Sequence, residues 1–230
     1  MDTTASNRIP NLIAKIYFAI AAILVVSEFF SLKTTILFLK PTLIPTLIVW
    51  YVLTSAKKSP LYISALVFAL FSNVFFISES QDFLLYGIIA FMVYRILSII
   101  VVVKLVDTIL WVPFIIATLP FLFIFSCLIN LTMTSDSPSF YPTIINGLLI
   151  AGLAGIALSN YVMNDNKANS WLAISTLLFI VLVFLFMIEK YYLSNIAFKP
   201  LSAFIFAFAH FTFYKFVLEA EQNGKRSDDY

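Results

Sequence analysis

The sequence predicts an all-α protein, a polytopic transmembrane helical bundle of eight spans with both termini in the cytoplasm, and three observations predict it. Of its 230 residues, 62% are hydrophobic and only 11% charged, and the mean hydropathy is +1.00; soluble domains are far more polar. The apolar residues run continuously for lengths near the roughly 20 that carry a helix across a bilayer, whereas a membrane barrel reads as alternating strands of about 10 residues. The third observation is charge. With the amino terminus inside, Arg8, Lys15, Lys57, Lys58, Lys104, Lys167, Lys215, Lys225 and Arg226 fall on the inner side, against Lys33 and Lys190 outside, as the positive-inside rule requires. Eight spans take up about 160 residues, so no sizeable domain fits outside the membrane. That excludes a Rossmann-type cofactor domain and a P-loop engine. The formal net charge of +2 gives no polyanion-binding surface, so nucleic acid is excluded as a partner.

The elements follow in order. Arg8 and Lys15 precede a first span at 12–30, but Ser27-Glu28-Phe29 offers no small-residue cleavage pattern, so the segment is read as retained rather than as a signal peptide. The second span, 36–53, carries Lys40-Pro41 and Pro45 and stops at Lys57-Lys58-Ser59-Pro60. The third, 61–77, is closed by the polar stretch 78–82, and the fourth covers 83–106. The weakest break runs from Lys104 to Asp107; without it, two segments would fuse into one helix far too long to cross once. The fifth span, 109–129, holds Pro113 and Pro120, which neighbouring helices can accommodate, and Cys127, whose solitude rules out an intrachain disulfide. The sixth, seventh and eighth spans are placed at 141–161, 171–188 and 196–218. Residues 1–218 thus form a single integral membrane domain, and 219–230 a charged, solvated cytoplasmic tail.

Charged groups inside a span cost about 3 kcal/mol or more by insertion scales, so each needs a partner, a water-filled cavity or a role. Counting about 1.5 Å per residue, Lys40 lies about 7 Å and Lys199 about 5 Å below the outer ends of their spans. Glu28, Asn73 and Tyr141 lie at the same side, so these residues can line one pocket in the outer half of the bilayer. The alternatives are plain: both lysines can snorkel to the headgroups, and Glu28 with Lys40 can form a purely structural ion pair. Arg95 is about 18 Å deep, and Gly87, Phe91 and Arg95 recur at helical spacing on one face. It suits a structural anchor as well as a substrate contact. His210, the sole histidine, fits a neutral side chain bonded to a neighbouring helix, with no metal-ligand spacing around it. Neither a metal nor another cofactor is expected.

The chain resembles the YhhN-like family, the lysoplasmalogenases, across nearly its whole length. The resemblance rests on an acidic residue closing the first span (Glu28), Phe38-Leu39-Lys40-Pro41 opening the second, Leu66 through Asn73 in the third, Leu84-x-x-Gly87-x-x-x-Phe91 in the fourth, Tyr141 in the sixth, and Leu177-Leu178-Phe179 through Glu189-Lys190-Tyr191 in the seventh. It implies hydrolysis of the vinyl-ether bond of lysoplasmalogens, which releases an aldehyde and a glycerophospho-base. Protonating the enol-ether carbon creates an oxocarbenium-like cation, so a general acid must start the reaction and a carboxylate or activated water must finish it. The sequence departs from the family at those positions: the third-span aspartate is Asn73, the seventh-span aspartate aligns with Val183, and the fourth-span histidine with Arg95. An amide cannot transfer a proton as an acid does, and valine offers no polar group. Glu28 is the one carboxylate left to substitute, because Glu189 lies six residues beyond Val183 and is expected to point elsewhere around the helix.

The expected function is therefore that of a lysoplasmalogenase-like membrane protein with a lysophospholipid pocket built from Glu28, Lys40, Asn73, Arg95, Tyr141, Val183 and Lys199, its hydrolase activity weakened or lost. The competing expectation is a small transporter or lipid-handling protein without catalysis, in which Lys40, Arg95 and Lys199 meet an anionic headgroup. In either case its partner is a membrane lipid, a lysophospholipid or lysoplasmalogen; the third alternative is a membrane scaffold without ligand. Its place is the cell membrane, the inner membrane in a Gram-negative cell.

Overall fold

The computed structural model describes residues 8–78, 80–106 and 108–227. They form eight helices: α1 (Arg8–Phe29), α2 (Lys33–Thr54), α3 (Pro60–Phe75), α4 (Gln81–Leu105), α5 (Trp111–Thr132), α6 (Phe140–Met163), α7 (Lys167–Tyr191) and α8 (Phe198–Ser227). Seven are long and apolar enough to cross a membrane, α8 over Phe198–Asn223; α3 is apolar but has 16 residues, about 24 Å at 1.5 Å per residue. The break at Lys104 is real, with α4 ending at Leu105 and α5 starting at Trp111. Asp107, the other end of that predicted break, lies outside the described residues.

Local chemistry sets the boundaries. Ser59 and Ser80 cap α3 and α4 by accepting the N–H groups of Tyr62 and Phe83, each at 3.4 Å, and Pro60 occupies the first turn of α3, where its missing N–H costs nothing. Asn166 caps α7 through the N–H of Asn169 at 2.8 Å. In α2, the α-helical winding tightens into a 3-10 turn at Lys40–Thr42. Pro41 and Pro45 each lack the N–H that would continue the ladder, and the Thr42 and Thr46 hydroxyls donate instead to the carbonyls of Leu39 and Thr42 at 2.8 Å.

Packing then joins the helices. α3 lies along α4, α5 along α6 and α7 along α8, while α8 also covers α1, and α6 rests on both α4 and α7. Hydrogen bonds tie these contacts: Tyr17 to the Ala207 carbonyl (2.7 Å), Ser72 to the Gly87 carbonyl (2.9 Å) and Ser175 to the Ala209 carbonyl (3.0 Å). Small residues permit close approach, as is usual between membrane helices. A Cβ on Gly155 would collide with the Thr118 hydroxyl and lie 3.0 Å from the Phe114 carbonyl, and one on Gly87 would come within 2.5 Å of the Phe76 ring. Trp111, Phe123 and Val162 are exposed on the outer surface, and Cys127 is exposed there too.

The C-terminal region differs from the expectation of a solvated tail beginning at 219. Helix α8 continues to Ser227, because Leu-Glu-Ala-Glu-Gln is good helix-forming sequence even where hydropathy has fallen. Its first acids are engaged: Glu219 pairs with Lys167 at 2.6 Å, and buried Glu221 accepts from Tyr51 and Ser55, each at 2.6 Å. Residues 228–230 lie outside the described residues.

Candidate functional site

Three of the expected residues meet at one end of the bundle, where α1 ends, α2 tightens and α3 ends. Glu28 is 7% exposed, and its Oε1 lies 3.5 Å from Lys40 Nζ. Asn73, 4% exposed, donates from Nδ2 to the Lys40 carbonyl at 2.8 Å. That carbonyl lies in the 3-10 turn of α2, and the last turn of α3 supplies the donor. Lys40 therefore binds the ends of α1 and α3 through its two ends, the ammonium to one and the backbone oxygen to the other. Glu189 and Lys190 of α7 are within electrostatic reach of Lys40. Phe76, just past the end of α3, meets Phe186 of α7 with tilted rings whose centroids are 5.0 Å apart.

Arg95 belongs to a different centre. It is fully buried, and its guanidinium carbon sits 4.8 Å from the Phe91 ring centroid, 4.7 Å from Phe179 and 5.7 Å from Tyr94. None of its three nitrogens has a hydrogen-bond partner among the described residues. Cation–π contacts recover about 0.5–2 kcal/mol each, well short of the cost of burying an unpaired charge. His210 completes this centre, stacked on Tyr94 at 5.4 Å and edge-on to Phe179 at 5.0 Å. Its Nδ1 lies 2.9 Å from the Phe206 carbonyl, which can only accept, so Nδ1 carries the proton. Nε2 is left as an acceptor without a donor among the described residues. The bond runs to α8's own backbone, four residues back, rather than to a neighbouring helix as expected.

The remaining candidates stand apart. Tyr141 is 69% exposed on α6, Lys199 is exposed in the first turn of α8, and Val183 is half-buried in the apolar packing of α7. The structure thus divides the expected set, with Glu28, Lys40 and Asn73 together, Arg95 elsewhere, and Tyr141 and Lys199 on outward surfaces. It adds Glu189, which the sequence reading directed away from the site by its angle from Val183. The available signal was its position in the last turn of α7, at the end of the bundle where Glu28 closes α1. Among the described residues no group of three His, Cys, Asp or Glu side chains gathers as a metal site needs.

The fold and this cluster define a multi-pass α-helical membrane protein with one of its polar centres at a junction of helix ends. The sequence profile of the YhhN family matches residues 35–220, and the chain belongs to that family. Lys40, Asn73, Arg95, Val183 and Glu189 fall inside the matched stretch, and Glu28 precedes it. No curated protein and no solved structure matches the chain.

Proposed function

We propose that this protein is a lysoplasmalogenase-like member of the YhhN family that receives a lysophospholipid at the Glu28–Lys40–Asn73 junction in the outer half of the bilayer and hydrolyses its vinyl-ether bond slowly or not at all. Eight spans with both termini in the cytoplasm complete the reading, and the membrane is the cell membrane, the inner one in a Gram-negative cell. The observation that carries it is the junction itself. An ammonium 22% exposed, paired with a carboxylate 8% exposed, sits where α1 and α3 end, an arrangement in which a phosphate can share the cation while the acyl chain stays in hydrocarbon.

The chemistry of the junction supports binding more than turnover. Asn73 uses its amide as a donor to a backbone carbonyl, a task that an ionised aspartate cannot perform. Val183 packs against the apolar core. Glu28 is engaged with Lys40, so employing it as a general acid means giving up that pair. Loss of general acid catalysis lowers rates by about 10²- to 10⁴-fold, and the proposal places the protein in that range. Purified protein offered lysoplasmalogen, with released aldehyde followed over time, tests it: rapid turnover that Glu28→Gln abolishes would show Glu28 to be a working acid and the proposed loss of catalysis to be mistaken.

The second reading, lipid handling without any catalysis, is favoured by Arg95, a buried cation with no hydrogen-bonded or ion-paired carboxylate among the described residues. Vesicle reconstitution separates the two, since movement of lysophospholipid across or between membranes belongs to this reading alone.

A further inference from the structure

The opposite end of the bundle holds a cavity of about 380 Å³, opening between the end of α4, the α6–α7 connection and the last described turns of α8. That volume lies within the range of small-molecule sites. Two cations reach it, Lys57 from the α2–α3 loop and Lys104 from the last turn of α4. Neither has a carboxylate partner among the described residues.

The floor is polar and fixed. Asn160 and Asn169 line the cavity and are 8% and 5% exposed. Asn169 donates from Nδ2 to the carbonyls of Asn160 (3.3 Å) and Asn164 (2.8 Å), and Asn160 donates from Nδ2 to the Ile156 carbonyl (2.9 Å). Because carbonyls only accept, these bonds fix which way each amide faces. No donor among the described residues reaches either side-chain oxygen, and both residues line the cavity wall. Ala168, in the first turn of the 25-residue helix α7, also lines it, so the positive end of that helix adds to the two lysines.

From this we infer that the cavity binds a small phosphate ester bearing an N–H or O–H donor, such as a phosphoethanolamine group, with the phosphate between Lys57 and Lys104 and the donor on the Asn160 and Asn169 oxygens. A bare anion would leave both amide oxygens unmatched, and a quaternary ammonium has no proton to give them. The source is either a soluble ester or the headgroup of a lipid at that membrane surface. This site is independent of the Glu28 junction, so either proposal can fail without the other.

The test uses the full chain in phosphate-free detergent. Phosphoethanolamine, phosphocholine and sulfate are titrated by calorimetry, and retention of phosphatidylethanolamine from mixed-lipid nanodiscs is measured by native mass spectrometry. Phosphoethanolamine is expected to bind about 10-fold or more tightly than phosphocholine or sulfate. Lys57→Gln and Lys104→Gln, both at exposed positions, are each expected to weaken it by about 10-fold while circular dichroism stays unchanged. Lysine-dependent retention of phosphatidylethanolamine without binding of the soluble ester supports the site and identifies the source as lipid. No binding of either probe, binding indifferent to both lysines, or equal affinity for phosphocholine or sulfate overturns the inference.

Discussion

Lys40 is the residue on which the junction turns, because its ammonium meets Glu28 at 3.5 Å while its carbonyl accepts from Asn73 at 2.8 Å. Lys40→Met leaves a buried carboxylate unpaired and is expected to destabilise by about 1–3 kcal/mol. Adding Glu28→Gln restores part of the loss, a coupling that a double-mutant cycle on thermal unfolding measures. Asn73→Asp removes the donor facing the Lys40 carbonyl and is expected to cost about 1–3 kcal/mol, again read from unfolding. Arg95 behaves in the opposite sense. Its guanidinium is buried without a hydrogen-bond partner among the described residues, so Arg95→Met removes an uncompensated charge and leaves the melting temperature unchanged or higher; a large fall in that temperature would show that the aromatic contacts outweigh desolvation.

At the scale of elements, hydropathy reveals where helices are but not how they meet. The two prolines of α2 and the basic stretch at 57–60 were legible in the sequence, and the 3-10 turn and the α2–α3 loop fall at them. What stayed hidden was angular: Glu189 and Lys40, far apart in sequence, come into electrostatic reach only in the folded bundle. Tyr141 shares its end of the bundle with Lys40 yet is 69% exposed. The continuation of α8 was hidden for another reason, since the Tyr51 and Ser55 hydroxyls that hold Glu221 sit some 170 and 166 residues earlier in the chain. Close packing gives a sharper test. Gly155→Val meets the Thr118 hydroxyl and the Phe114 carbonyl and is expected to destabilise by about 2 kcal/mol or more. Gly152→Ala, with nothing within 4 Å, is the control and should gain up to about 1 kcal/mol in helix propensity.

For the whole molecule, the low charge seen at the outset sorts into distinct places: a paired junction at one end, a buried guanidinium in the middle, and two lysines over an amide floor at the other. The fold class was readable because lipid demands helices and long apolar runs. The division of the polar residues into separate centres was not, because it depends on packing between helices distant in sequence. The expected orientation is checked by protease protection of tags at both ends of the chain in sealed right-side-out vesicles; both should resist digestion from outside. The most direct test of the functional account compares aldehyde release from lysoplasmalogen by the parent and by Asn73→Asp/Val183→Asp. The account predicts that restoring both aspartates raises the rate by about 10²-fold or more; a parent that turns over as fast as the double variant would contradict it.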